Sequence, residues 1–200
     1  FNNSSPTLTD VTFNDNSAVN TGGGMYLYSW CNPTLTDVTF SGNTAHDCGG
    51  MFFNNSSPTL TDVTFNDNSA ENAGGGTYMS SSSATLTSVT FSGNTADYGG
   101  GMYMSSSSAT MINSILWGNS PQEIYFYESG DPTSITITYS DIQGGEAGIV
   151  TNDNGTVYWG DGNIDANPLF TDPDNGVYTL QEDSPCIDAG TADTDVDGYD

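Results

Sequence analysis

The 200-residue chain contains no lysine and no arginine, against 25 aspartates and glutamates. Nucleic acids, anionic membrane surfaces and anionic glycans are gripped mainly by basic side chains, so this surface repels all three. Nucleic-acid binding is excluded on that ground. Histidine occurs once, at position 46, and cysteine three times, at 31, 48 and 186. Three thiols are too few for a disulfide scaffold, and the odd count leaves at least one unpaired within the chain. The simpler role for them is that of small buried hydrophobes. No apolar run approaches the roughly 20 residues that span a bilayer, so membrane insertion is not expected. The 3.6-residue apolar period of an amphipathic helix is also missing. The chain opens on Phe1, inside a repeat, without a start methionine or a signal segment, which reads as a piece of a longer, processed protein.

What the sequence does have is self-similarity. Phe13-Asn14-Asp15-Asn16-Ser17-Ala18 returns as Phe40-Ser41-Gly42-Asn43-Thr44-Ala45, as Phe65 to Ala70 and as Phe91 to Ala96, with Leu116-Trp117-Gly118-Asn119 a fainter fifth copy. The asparagines at 16, 43, 68, 94 and 119 are spaced by 27, 25, 26 and 25 residues. Residues 1–18 and 53–70 are identical, so a two-coil unit has been duplicated. A fixed period of this length is the signature of a solenoid or array.

Each repeat holds a run of strand character such as Thr59 to Phe65, and a shorter one after the glycines, such as Met25-Tyr26-Leu27-Tyr28 or Met102-Tyr103-Met104. Asn/Asp/Gly/Ser clusters between them read as turns. Two or three short strands in about 26 residues fit an all-β parallel β-helix, each strand pairing with its own copy one coil along. Stacking then puts like on like. Leu8, Leu35, Leu60, Leu86 and Met111 form one inward column, and Phe13, Phe40, Phe65, Phe91 and Leu116 a second. The asparagine column sits at a turn, where stacked amides can bond along the pile. The position before it (Asp15, Gly42, Asp67, Gly93, Gly118) suits a left-handed backbone, and the glycines near 22–24, 49–50, 74–76 and 99–101 mark a second corner. Coils are expected over 1–143 and a loop-rich capping region over 144–200.

The Phe-x-x-Asn repeats resemble those of the polymorphic outer membrane proteins, with Gly-Gly-Gly-Met or Gly-Gly-Met replacing that family's Gly-Gly-Ala-aliphatic motif. Repeat and ending together more closely resemble secreted bacterial right-handed β-helix repeat proteins. There, Gly-Gly-Gly-Met-Tyr coils precede a closing Asn-Ile-Asp-Ala-x-Pro-Leu-Phe, here residues 163–170, and Ser-Pro-Cys-Ile-Asp-Ala-Gly, here 184–190. The resemblance implies a right-handed β-helix and an extracellular or cell-surface location, and says little about activity.

Lyases of the pectate type use a basic residue as proton abstractor, and none exists here. Polygalacturonase-like hydrolases pair an Asp cluster with His-Gly and Arg-x-Lys, and neither companion is present. The expectation is therefore a non-enzymatic structural or adhesive module that could assemble head to tail into filaments or meet a surface glycan. The alternatives are a carbohydrate-binding or carbohydrate-cleaving β-helix and, from the stacked Thr7/Thr9, Thr34/Thr36, Thr59/Thr61 and Thr85/Thr87 ranks, an ice-binding solenoid.

Three places suggest metal chemistry. Asp193, Asp195 and Asp197 have the Asp-x-Asp-x-Asp-Gly spacing of a calcium loop, with Gly198 at the tight turn; the bidentate Glu of position twelve would fall beyond residue 200. Asp10, Asp37 and Asp62 occupy equivalent positions, where repulsion is relieved by water or a bridging cation. His46, beside Asp47 and Cys48, lacks a fourth ligand even if Cys31 is counted, and reads as a solvated turn residue.

Overall fold

The run Thr-Leu-Thr-Asp-Val-Thr-Phe alternates wet and apolar side chains on both sides of one aspartate, and that aspartate decides the shape of the coil. In the computed structural model, which describes residues 1–191, Thr7–Asn14, Thr34–Ser41 and Thr59–Asn66 are parallel neighbours. Asp10, Asp37 and Asp62 bend each of them at φ of 55°, 53° and 53°. Ser88, Asn113 and Tyr139 continue the bend in later coils. Asp and Asn tolerate this left-handed conformation better than most residues, which accounts for aspartate at this position.

The two arms of the bend belong to one ten-stranded sheet, and a second sheet of five strands closes the coil. The second sheet stacks Met25–Tyr28, Met51–Asn54, Thr77–Ser80, Met102–Ser105 and Ile124–Phe126 in parallel. The result is a right-handed β-helix of six turns, counted along the column Phe13, Phe40, Phe65, Phe91, Leu116 and Ile142. The four phenylalanine rings stack at 4.7–4.8 Å with 5–9° between planes. Leu35, Leu60, Leu86, Met111 and Ile137 fill the facing column, and Leu27, Phe53, Met79, Met104 and Phe126 the third wall.

Both corners follow the expected backbone. The residues before the asparagine column take φ of 53° to 77° in every coil, Asp15 through Gly118. Gly22, Cys48, Gly74 and Gly99 are left-handed at the other corner, and the glycines after them leave no room for a side chain. A Cβ on Gly75 would lie 2.6 Å from the carbonyl oxygens of Gly100 and Thr95.

Between the corners the asparagines form a buried amide ladder. In the second coil, Asn43 donates from its backbone N–H (3.1 Å) and from Nδ2 (2.9 Å) to Asn68 Oδ1, and Nδ2 also reaches the Phe13 carbonyl at 2.8 Å. The same set recurs at Asn68 and Asn94. Every polar atom of these amides is used, as burial requires.

Parallel pairing continues past residue 143. Thr133–Thr138 pairs with Gly155–Trp159, and Asp141 bridges to Ile164, so part of the loop-rich region completes the sixth coil. The chain then forms an antiparallel hairpin, Phe170–Asp172 with Val177–Leu180. It lies along the flank of the coils, facing Ser92, Gly93 and Trp117. Residues 184–191 fasten to the same flank. Ser184 Oγ donates to the Pro168 carbonyl at 2.6 Å, Cys186 Sγ to Asp141 Oδ2 at 3.1 Å, and Asn113 exchanges two hydrogen bonds with the Thr191 backbone.

Candidate functional site

Trp30 sets its turn apart from those of the later coils. It occupies the turn between the second sheet and the next long strand, where its N–H donates to the Asn55 carbonyl at 2.7 Å. By register its neighbour Ser29 matches Asn55, Ser81 and Ser106, all left-handed with φ of 48–56°, so Trp30 is an extra residue in the turn of this coil. Small polar residues suit that conformation, whereas an indole gains nothing from it. Trp30 nevertheless holds φ at 60° and is 75% exposed.

The indole heads a groove of about 580 Å³ that runs along the solenoid axis across several coils. Its walls are hydroxyls and amides: Asn32, Ser57, Ser83 and Ser108, with Asp131 as its carboxylate. The serines are themselves in register, and Ser57 Oγ lies 3.2 Å from Ser83 Oγ. Beneath them Ser56, Ser82 and Ser107 turn inward and satisfy backbone N–H groups of neighbouring coils at 3.1–3.2 Å. The groove floor is thereby fixed by the fold, and the outer hydroxyls of Ser57, Ser83 and Ser108 are exposed to solvent.

Beside this groove the second sheet turns a row of aromatic rings outward. Tyr26, Phe52, Tyr78, Tyr103 and Tyr125 are register neighbours, with centroids 4.5–5.6 Å apart. At the Trp30 end Tyr26 and Tyr28 are open to solvent. At the other end Tyr98 and Tyr127 flank the row and form a concavity with it. A third groove, about 710 Å³, separates the hairpin from the coils and brings together Trp117, Tyr178, Gln181 and Asp67.

Several residues singled out from the sequence lie elsewhere. Asp193, Asp195 and Asp197 fall outside the described residues. Asp10, Asp37 and Asp62 share one column as expected; desolvation, and then the neighbouring Asp37, hold the Asp62 carboxyl above its usual range. His46 is exposed, its Nδ1 3.3 Å from Asp47 Oδ2. Among the described residues no three of His, Cys, Asp and Glu are grouped to hold an ion. All three cysteines are free thiols, Cys31 and Cys48 being buried. Burial pushes the Cys48 thiol well above its ordinary value and that of Cys186 up to about 12, with Asp141 adding to the latter. Neither is an activated nucleophile.

Sequence reasoning missed both Trp30 and the outward aromatics. In Met25-Tyr26-Leu27-Tyr28 both faces of the strand are apolar, so alternation carries no contrast. The available signal was the 27-residue spacing from Asn16 to Asn43, the longest of the four, in which Trp30 is the extra residue. Among the described residues no helix is long and apolar enough to cross a membrane. No curated protein and no solved structure matches the chain. A right-handed β-helix region is matched over residues 36–188, and the chain belongs to the right-handed β-helix family.

Proposed function

We propose that this β-helix is a non-enzymatic adhesive module, acting outside the cell or on its surface, whose Trp30 groove holds a neutral glycan chain along the solenoid axis. The observation that carries this reading is Trp30, an exposed indole kept in a left-handed turn at the head of a hydroxyl-lined groove. Aromatic faces cover the apolar face of a sugar ring, while serine hydroxyls and amides exchange hydrogen bonds with its hydroxyls. The charge balance selects among glycans: with 25 acids and no base, uronates and sulfated sugars are repelled. Hydrolysis of a glycosidic bond uses two carboxylates flanking it. Among the described residues the Trp30 groove, the tyrosine concavity and the hairpin groove are each lined by a single one, Asp131, Glu128 or Asp67, which favours binding over cleavage.

The test is retention on insoluble neutral polysaccharides, compared with a uronate polymer. Wild type is expected to be retained by at least one neutral polymer and not by the uronate, and Trp30→Ala to lose retention while melting unchanged. Retention of Trp30→Ala at the wild-type level removes the groove from the reading, and preference for the uronate removes the charge argument.

Head-to-tail stacking is a second reading. It rests on Thr7–Asn14, which among the described residues is paired on one side only, with Leu8, Val11 and Phe13 half-covered. Such an edge takes a further coil, from the same chain or from a second copy. Light scattering at rising concentration tests it: growth in mass is expected for stacking, and a strict monomer ends it.

A further inference from the structure

The far end of the aromatic row differs from the Trp30 end in shape. Five tyrosines, 78, 98, 103, 125 and 127, converge on a groove of about 450 Å³ rimmed by Asn72, Ser105 and Glu128. The rings do not lie in one plane. Tyr103 and Tyr125 stack at 11°, whereas Tyr98 is tilted 52° to Tyr125 and Tyr127 40° to Tyr103. Tyr103 forms the floor at 7% exposure, and Tyr98 and Tyr127 rise as walls at 46% and 40%. Tyr103 packs against Tyr78, ring centroids 4.5 Å apart, which fixes the floor.

Ring faces carry negative potential, and elsewhere a lysine or arginine of the same protein commonly lies over them. This chain has neither, so no side chain of its own can fill that role. Glu128 at the rim and Asp47, which accepts from the rim residue Asn72 at 2.7 Å, add negative charge. The overall charge of −25 concentrates cations at the surface. Methyl groups on a cationic nitrogen suit ring faces.

We infer that the Tyr78/Tyr98/Tyr103/Tyr125/Tyr127 concavity binds a small trimethylammonium compound of the choline class, its cationic head among the rings and Glu128 at the rim. This goes beyond the glycan reading and uses other residues, so either can fail alone.

Isothermal titration of the full chain at physiological ionic strength tests it with three probes. Choline is expected to bind roughly tenfold tighter than 3,3-dimethylbutanol, its neutral shape match, because cation–π attraction is lost in the latter. Glycine betaine, which adds a carboxylate to the same head, is expected to bind more weakly than choline. Ring currents should shift the N-methyl protons of bound choline upfield. Tyr98→Leu and Tyr127→Leu keep apolar area but remove the ring, and each should weaken choline several-fold while leaving 3,3-dimethylbutanol and the melting temperature unchanged. Equal binding of choline and its neutral match reduces the site to an apolar groove and overturns the inference. Unchanged choline binding in both leucine variants assigns the effect to bulk charge and also overturns it, as does absence of choline binding.

Discussion

Glu123 ends the asparagine ladder by standing in for a sixth amide beside Asn119. Its Oε1 accepts the Asn119 backbone N–H at 3.1 Å, and its Oε2 accepts Asn119 Nδ2. The two donors favour the charged carboxylate, but burial acts against it and wins, pushing the pKa from 4.5 up to about 7. The folded state therefore holds this proton more tightly than the unfolded chain between those values. The stabilisation is present below about pH 4.5, declines as pH rises toward 7, and is gone above it. Asp141, also held above its usual range by burial, adds a contribution of the same sign. The unfolding free energy should fall between pH 5 and 7 by on the order of 2 kcal/mol. Glu123→Gln should flatten that slope; an unchanged slope would show that Glu123 does not titrate there.

The ladder leading to Glu123 should tolerate no gaps. Asn94→Ala removes the acceptor for the Asn68 backbone N–H and amide, and the donor to the Phe65 carbonyl. Buried groups left unpaired cost about 1–3 kcal/mol each, so the variant should lose several kcal/mol in urea melts. Ser69→Ala, a partly exposed position beside the ladder, should lose less than about 0.5 kcal/mol.

The register of the core predicts a comparable contrast. Phe65 is fully buried between Phe40 and Phe91, so Phe65→Ala should destabilise by about 3–5 kcal/mol. Thr64 faces the other way, and Thr64→Ala should cost well under about 1 kcal/mol. Similar losses at both sites would reverse the assignment of inside and outside.

Self-repulsion among 25 acids with no base weakens the fold at low ionic strength, so added sodium chloride should raise the melting temperature. If Asp193, Asp195 and Asp197 hold calcium as their spacing suggests, millimolar calcium should raise it beyond magnesium at equal ionic strength. Equal effects of the two ions leave screening alone.

The columns of this fold are legible in the sequence because a solenoid stacks like on like. Phe on Phe, Leu on Leu and Asn on Asn need only the period to be placed, and the left-handed position before the asparagine column announces itself as Gly or Asp. The reading falters where one coil departs from its neighbours. Met102 pairs with Ile124, an offset of 22 residues rather than 25 or 26, so the residue that completes the ladder lies four positions after Asn119 and is a glutamate. Gly155–Trp159 forms a strand amid glycines and asparagines that read as turns. Trp30 and the outward tyrosines were hidden for a different reason: in strands of four residues, two apolar faces leave no alternation to detect.

The claim that a neutral chain lies along the axis, from Trp30 over the serine ranks, is tested most directly by fluorescence. With Trp117 and Trp159 replaced by Phe, emission reports Trp30 alone. Titration with neutral oligosaccharides of increasing length should shift this emission to the blue, with affinity rising for each sugar added until the groove is filled. Affinity independent of length, or emission unmoved by any neutral oligosaccharide, would contradict the account.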